Sequence, residues 1–162
     1  AAPHALAQLL RACSILPLRP GAVAGLTVAD LDQRLGVLKI GKDKAGQDRR
    51  IALPPSTLAF LADCARDKLP AAPLIARADG GAWDRFLWSK GVAAAAAAAA
   101  AGLPAGVTLY ALRHAGITDL VTSGLDLMTV AQLSGTSVAM IEAHYAHLQQ
   151  GRAAAALATL AL

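Results

Sequence analysis

Residues 39–50 carry Lys39, Lys42, Lys44, Arg49 and Arg50 against Asp43 and Asp48. Cationic side chains at that density suit a polyanionic partner, because their fields add over a short stretch. Taken alone, the stretch reads equally well as a solvated basic turn. A second stretch, TLYALRH, sets Tyr110 and Arg113 three positions apart, which places a phenol and a guanidinium on one helix face. A third, AHYAHL, sets Tyr145 between His144 and His147. These groups could bind an anion and stabilise negative charge through planar guanidinium forks. No metal site is expected from the histidines, since the chain offers no Cys or carboxylate cluster at ligand spacing.

The elements that must position these groups are mostly helical. The chain is Ala-rich and has few aromatic residues, a composition that favours close-packed helices over a large sheet. Its 162 residues suit one domain able to bury a core without staples. A first helix is expected over 3–13, and a short one over 20–26 with Pro20 in its first turn. Residues 35–40 and 49–53 are β-like runs joined by a basic tip at 41–48, with Gly41 and Gly46 as turn residues. Pro54-Pro55-Ser56 opens a helix to about Asp67, with Ser56 as its cap. Residues 74–76 read as a third short strand. Further helices are expected over 83–101, ended by Gly102, and over 108–123, closed by Gly124. Asp126 caps a helix over 127–133 that Gly135 closes. Thr136 or Ser137 caps another through about Leu148, and 152–162 forms a last one after Gly151. The expectation is an α+β domain, mainly helical, with a small antiparallel sheet.

The formal net charge of +4 and a pI near 9.4 permit a nucleic-acid partner without requiring one. Cys13 and Cys64 form no CxxC and read as free, buried thiols in a reducing compartment. No signal peptide or membrane span is apparent, because the apolar run 93–101 is too short to cross a bilayer. The chain starts at Ala1 without an initiator Met, which reads as a piece of a longer protein.

Four stretches, in order and covering about Leu9 to Leu148, resemble the tyrosine recombinase (phage-integrase) family. LPLRPGAVAGLTVADLD (16–32) resembles its box I, with Arg19 on the first catalytic arginine and Ala22 where a glutamate is usual. GKDKAGQDRRIALP (41–54) resembles its K-x-G-x-x-R hairpin, with Lys44 on the catalytic lysine and Lys42 as a rival. TLYALRHAGITDLVTSGLDL (108–127) resembles H-x-L-R-H, with Arg113 on the second arginine and Tyr110 on the histidine. AQLSGTSVAMIEAHYAHL (131–148) resembles L-G-H-S-x-x-x-T-x-x-Y-x-H, with Tyr145 on the nucleophile and Thr136 where His or Trp is usual. His114 reads as structural rather than catalytic.

The resemblance implies the tyrosine recombinase catalytic-domain fold and a DNA strand breaking-and-rejoining activity. Tyr145 would attack phosphorus and keep the phosphate as a 3′-phosphotyrosine, splitting one difficult step into two. Arg19 and Arg113 would stabilise the charge that develops on the nonbridging oxygens. Lys44 would protonate the leaving 5′ oxygen. Tyr110 and Thr136 would add hydrogen bonds, although a phenol is a poorer base than an imidazole. Thr136 could cap its helix as well. Lys42, Arg49 and Arg50 read as backbone-phosphate contacts. The implied partners are double-stranded DNA and further copies of the chain in a tetrameric synapse. No cofactor, metal, small-molecule substrate or membrane partner is implied, and the expected location is the bacterial cytoplasm and nucleoid. The family's N-terminal DNA-binding domain is expected to lie outside these residues. Two rival readings remain: a catalytically weak or inactive DNA-binding relative, motivated by Ala22, Tyr110 and Thr136, and a helical interaction module with no DNA role.

Overall fold

A computed structural model describes residues 2–41, 49–98, 106–149 and 157–158. Helix α1 (Ala2–Ile15) is followed by the short α2 (Pro20–Ala24), whose N-cap is Arg19 and whose first position is Pro20. Proline there loses no hydrogen bond, because the first amides of a helix have no intrahelical acceptor. A 3-10 turn (Val28–Asp30) follows. The Asp30 carboxylate accepts from both the amide and the hydroxyl of Thr27 at 2.8 Å.

Strands β1 (Leu31–Asp32), β2 (Val37–Ile40) and β3 (Arg49–Ala52) form an antiparallel sheet in sequence order. Leu31 pairs with Leu38, and Ile40 with Arg49. The β2–β3 pairing is the one expected from sequence, but the third strand is not. Residues 74–76 form no strand, although Leu74 and Ile75 are fully buried. Their apolarity reflects burial in an irregular segment tied by the Leu74 amide to the Leu26 carbonyl, with Lys68 Nζ donating to the carbonyls of Pro73 and Leu74. Strand β2 starts later than expected because Gly36 takes a positive φ of 64°.

The N-cap of helix α3 (Pro55–Ala65) is Pro54, not Ser56. Ser56 lies inside the first turn, because the proline pair sets the helix entry before the serine is reached. Helix α4 spans Arg85–Ala98; the rest of the alanine run and Gly102 lie outside the described residues, as do Gly46 and most of 152–162. Leu157 and Ala158 are helical and exposed.

Helices α5 (Leu109–Thr122), α6 (Leu127–Ser134) and α7 (Val138–Tyr145) come next, followed by a 3-10 turn (Ala146–Gln149). Asp126 caps α6 through its carboxylate, which accepts from the Thr129 amide at 2.9 Å. Gly135 ends α6 at φ 69°, ψ 48°, a left-handed conformation that glycine adopts without strain. Ser137, rather than Thr136, caps α7, its hydroxyl accepting from the Met140 amide.

Two apolar clusters result. The larger joins α1–α4 and the sheet through Leu9, Leu18, Leu38, Leu61 and Leu74. The smaller joins α5–α7 through Ile117, Val121, Val130 and Ile141. Full burial of each such side chain is worth roughly 1.5–3 kcal/mol. Helix α5 connects the two, since Leu109 packs in the first cluster and Ile117 in the second. Cys13 and Cys64 are free and buried, and burial pushes the Cys13 thiol up to about 12. No helix among the described residues is long and apolar enough to cross a membrane.

Candidate functional site

The buried residues of α5 are Leu109, Arg113, Ile117 and Val121, four positions apart each time. Such a stripe is what an amphipathic helix turns toward its core, and an arginine in the middle of it is unusual. Arg113 is 8% exposed. Its Nη1 donates to the Pro17 carbonyl at 2.6 Å and to the Ser134 carbonyl at 2.7 Å. Those two bonds tie the α1–α2 connection to the end of α6.

The end of α6 draws in two further guanidinium groups. Arg19 Nη1 donates to the Gly135 carbonyl at 2.8 Å, and Arg49 Nη1 donates to the Gln132 carbonyl at 2.8 Å. Carbonyls in the last turn of a helix lack intrahelical donors and carry the negative end of its dipole. Three arginines from α2, β3 and α5 therefore share one acceptor surface. The cost is visible at Arg113, whose pKa is lowered first by burial and then by the charge of Arg19, with Arg49 adding to it. Crowded like charges are tolerated by fixed backbone dipoles, and an incoming anion would relieve them further.

A cavity of about 810 Å³ lies against this helix end, lined in part by Arg19, Ala22, Arg49, Thr136, Met128 and Met140. Ala22, where the family pattern has a glutamate, thus faces the same space as Arg19. Arg19 takes its orientation from the Gly135 carbonyl, so it needs no carboxylate at position 22 to hold it.

Tyr145 ends α7 on the buried face that also carries Ile141, and it is 8% exposed. Burial raises its pKa, while the positive charge of Arg113 acts in the opposite direction. Its hydroxyl lies 2.5 Å from Nδ1 of His114. The His144 ring meets the Tyr145 ring in a T-shaped arrangement at 6.4 Å between centroids.

Of the residues singled out by sequence, Arg19, Arg49, Arg113 and Thr136 meet at the end of α6, and Tyr145 is close enough to Arg113 for their charges to interact. Tyr110 is 47% exposed and interacts electrostatically with Arg113 one turn along α5. Arg50 is exposed on β3, paired in register with Lys39. Lys42 and Lys44 lie outside the described residues. Two features were missed by sequence reasoning. Arg49 was assigned to backbone phosphates only, yet it reaches α6 across 83 positions of sequence, a contact no local pattern signals. His114 was set aside as structural, yet it holds the Tyr145 hydroxyl; its place next to Arg113 was the available clue.

No family model matches the chain. In sequence it is 27% identical over 147 residues to the integrase/recombinase y4eF of Sinorhizobium fredii, covering 91% of this chain and 58% of that protein. It is 28% identical to a second integrase/recombinase of the same organism, y4qK, covering 91% of this chain and 47% of that protein. The chain therefore spans about half the length of the curated relatives it matches. Among solved structures, the Tn1549 transposon integrase in complex with transposon right end DNA superposes with a TM-score of 0.78 at 18% identity, over 98% of this chain and 60% of that one. XerH recombinase in a post-cleavage complex with its palindromic difH substrate gives 0.71 at 21% identity, over 97% and 46%. The catalytic domain of bacteriophage HP1 integrase gives 0.62 at 17% identity, over 91% and 79%. The chain has the fold of the tyrosine recombinase catalytic domain, and in sequence it is similar to integrase/recombinases over nine-tenths of its length.

Proposed function

We propose that this chain cleaves and rejoins DNA strands through a 3′-phosphotyrosine on Tyr145. The observation that carries the reading is the seating of Arg19 and Arg113 on the successive carbonyls of Gly135 and Ser134, with the Tyr145 phenol under the influence of Arg113. A phosphate arriving at that helix end meets two guanidinium forks. It can exchange backbone dipoles for full negative charge, which strengthens those hydrogen bonds.

The chemistry follows from the groups. Tyr145 attacks phosphorus, a P–O bond to the phenol forms, and the bond to the 5′ oxygen breaks. Arg19 and Arg113 stabilise the extra charge on the nonbridging oxygens as it develops. Lys44, which lies between β2 and β3 in sequence, gives the 5′ oxygen its proton. The phosphotyrosine keeps the energy of the broken bond, and a 5′ hydroxyl on a second strand reverses the attack. Tyr110 and Thr136 act as hydrogen-bonding groups for the phosphate, and Arg50 and Lys42 as backbone-phosphate contacts. The substrate is double-stranded DNA, a reading supported by the like-folded Tn1549 transposon integrase, which is solved in complex with transposon right end DNA. The working unit is a set of copies assembled on DNA, with an N-terminal DNA-binding domain completing each one, in the bacterial cytoplasm.

The test is trapping on a nicked suicide duplex, whose cleaved 5′ fragment diffuses away. Wild-type protein is expected to form a covalent adduct that maps to Tyr145, and Tyr145→Phe to bind DNA and form none. An adduct that persists in Tyr145→Phe would move the nucleophile elsewhere. Salt-dependent DNA binding without any wild-type adduct would identify a relative that has kept the DNA and lost the chemistry.

A further inference from the structure

We propose that His114 is the general base for the nucleophile: its Nδ1 takes the proton from the Tyr145 hydroxyl as the phenol attacks phosphorus. This rests on the strand-cleavage reading above and adds to it a residue that the family pattern does not assign to that step.

Nδ1 and the phenol oxygen are 2.5 Å apart, with the rings tilted by 32° and their centroids 6.2 Å from each other. That is within the distance at which a proton passes directly between two heavy atoms. The placement follows from α5. Arg113 and His114 are consecutive, so their side chains leave the helix about 100° apart. The guanidinium turns inward to the Ser134 and Pro17 carbonyls while the imidazole reaches Tyr145. A single helical turn thereby supplies both a phosphate clamp and a proton acceptor.

The need for a base is equally visible. Tyr145 is a neutral phenol in a largely buried site, and a neutral phenol is a weak nucleophile until its proton leaves. The family pattern has histidines at four places; this chain keeps those at 114 and 147 and has Tyr110 and Thr136 at the other two. Neither side chain accepts a proton near neutral pH. His144 packs on the Tyr145 ring, and His147 is exposed on the following 3-10 turn. Imidazole is the side chain whose ordinary titration suits reversible proton transfer near neutrality.

Protons and electrons balance. With the imidazole proton on Nε2, Nδ1 has a lone pair for the phenol proton. As Oη bonds to phosphorus, that proton moves to Nδ1 and an imidazolium results. The P–O5′ bond breaks, and the departing oxygen takes a proton from the Lys44 ammonium. In rejoining, the 5′ hydroxyl returns its proton to Lys44, attacks phosphorus and expels the phenolate, which recovers its proton from His114. The exposure of His114 lets the imidazolium exchange with solvent in the meantime.

The experiment uses the suicide duplex in two forms, with oxygen or with sulfur at the 5′ bridging position of the scissile phosphate. Sulfur leaves as a thiolate and needs no proton, but the attacking phenol must still lose one. His114→Gln and His114→Ala are expected to slow adduct formation on the order of 10²–10⁴-fold with DNA affinity unchanged. The defect should persist on the sulfur substrate, and added imidazole should partly restore His114→Ala. Lys44→Ala, run in parallel, should recover on sulfur. Near-wild-type adduct formation by folded His114→Gln overturns the proposal, as does a defect that vanishes on the sulfur substrate. Absence of any wild-type adduct overturns the strand-cleavage reading, and this inference with it.

Discussion

Arg19 and Gly135, 116 positions apart in sequence, are joined by a 2.8 Å hydrogen bond from Nη1 to the backbone carbonyl. The bond fixes an exposed guanidinium at the start of α2 over the end of α6, one carbonyl away from the one that holds the buried Arg113. The two arginines therefore point at one place from opposite degrees of burial, and their removal should have different consequences.

Arg113→Ala empties a buried position and leaves the Pro17 and Ser134 carbonyls without their donor. A lost buried partner costs about 1–3 kcal/mol, so the urea midpoint should fall. Under the proposed strand cleavage, adduct formation should fall as well, on the order of 10³-fold, as it does where an arginine that stabilises a transition state is removed. Arg19→Ala should keep most of the stability and lose cleavage alone. Equal loss of stability in the two variants, measured by urea titration beside adduct trapping, would contradict this division.

Gly135 tests how tightly the cluster is built. Its positive φ of 69° disfavours any side chain by roughly 1–2 kcal/mol. A methyl group there would also run into the Arg49 guanidinium. Gly135→Ala should therefore destabilise the protein by more than the backbone term alone. Part of the loss should disappear in an Arg49→Ala background, because residues in contact couple non-additively. Strict additivity in the double-mutant cycle would show that Arg49 moves aside freely.

Arg49 and Arg50 are neighbours with different surroundings, and salt titration separates them. Arg50 is exposed on β3, so Arg50→Gln should weaken DNA binding similarly for all sequences. It should also reduce the slope of log affinity against log salt by about 1. Stability should not change. Arg49 spans β3 and α6 through the Gln132 carbonyl, so Arg49→Gln should also lower the unfolding midpoint. A purely electrostatic effect of Arg49→Gln, with unchanged stability, would return it to the class of simple phosphate contacts.

These contrasts mark how far the sequence could be read. The junction of α6 and α7 was legible because local chemistry sets it: the Asp126 cap, Gly135 in the left-handed region and a hydroxyl at 136 or 137, of which Ser137 is the one that caps. The end of α7 was not, since the chain passes at Tyr145 into a 3-10 turn and not on to Leu148 as α-helix. The β2–β3 hairpin was legible from two β-prone runs around a turn. Residues 74–76 misled, because full burial and strand pairing both select Leu and Ile. β1 escaped, because a two-residue strand has no period to detect. Within the site, Arg19 and Arg113 were readable from motif spacing, but what they touch was not. Their partners are backbone carbonyls, which every residue carries. The His114–Tyr145 contact joins positions 31 apart through helix packing, which no local pattern signals, so His114 read as structural.

The far end of α6 is capped by a titratable side chain, that of Asp126. Asp126 accepts from Thr129, and those hydrogen bonds, from the hydroxyl first and then the backbone amide, hold its carboxyl below the ordinary value of 3.8. A carboxyl whose pKa is lowered by folding adds stability above its unfolded pKa and loses it as pH falls through the folded one. The wild-type urea midpoint should thus decline as pH drops below 3.8. Asp126→Asn keeps a capping oxygen without the titration, since Asn caps as well as Asp. It should match wild type near neutrality and lose less on acidification. Asp126→Ala should be less stable at every pH. Because α6 presents its other end to Arg19, Arg49 and Arg113, fraying from the Ala cap should also slow adduct formation. An Asp126→Ala protein with lowered stability but unchanged cleavage would show that the arginine cluster holds the end of α6 without help from its cap.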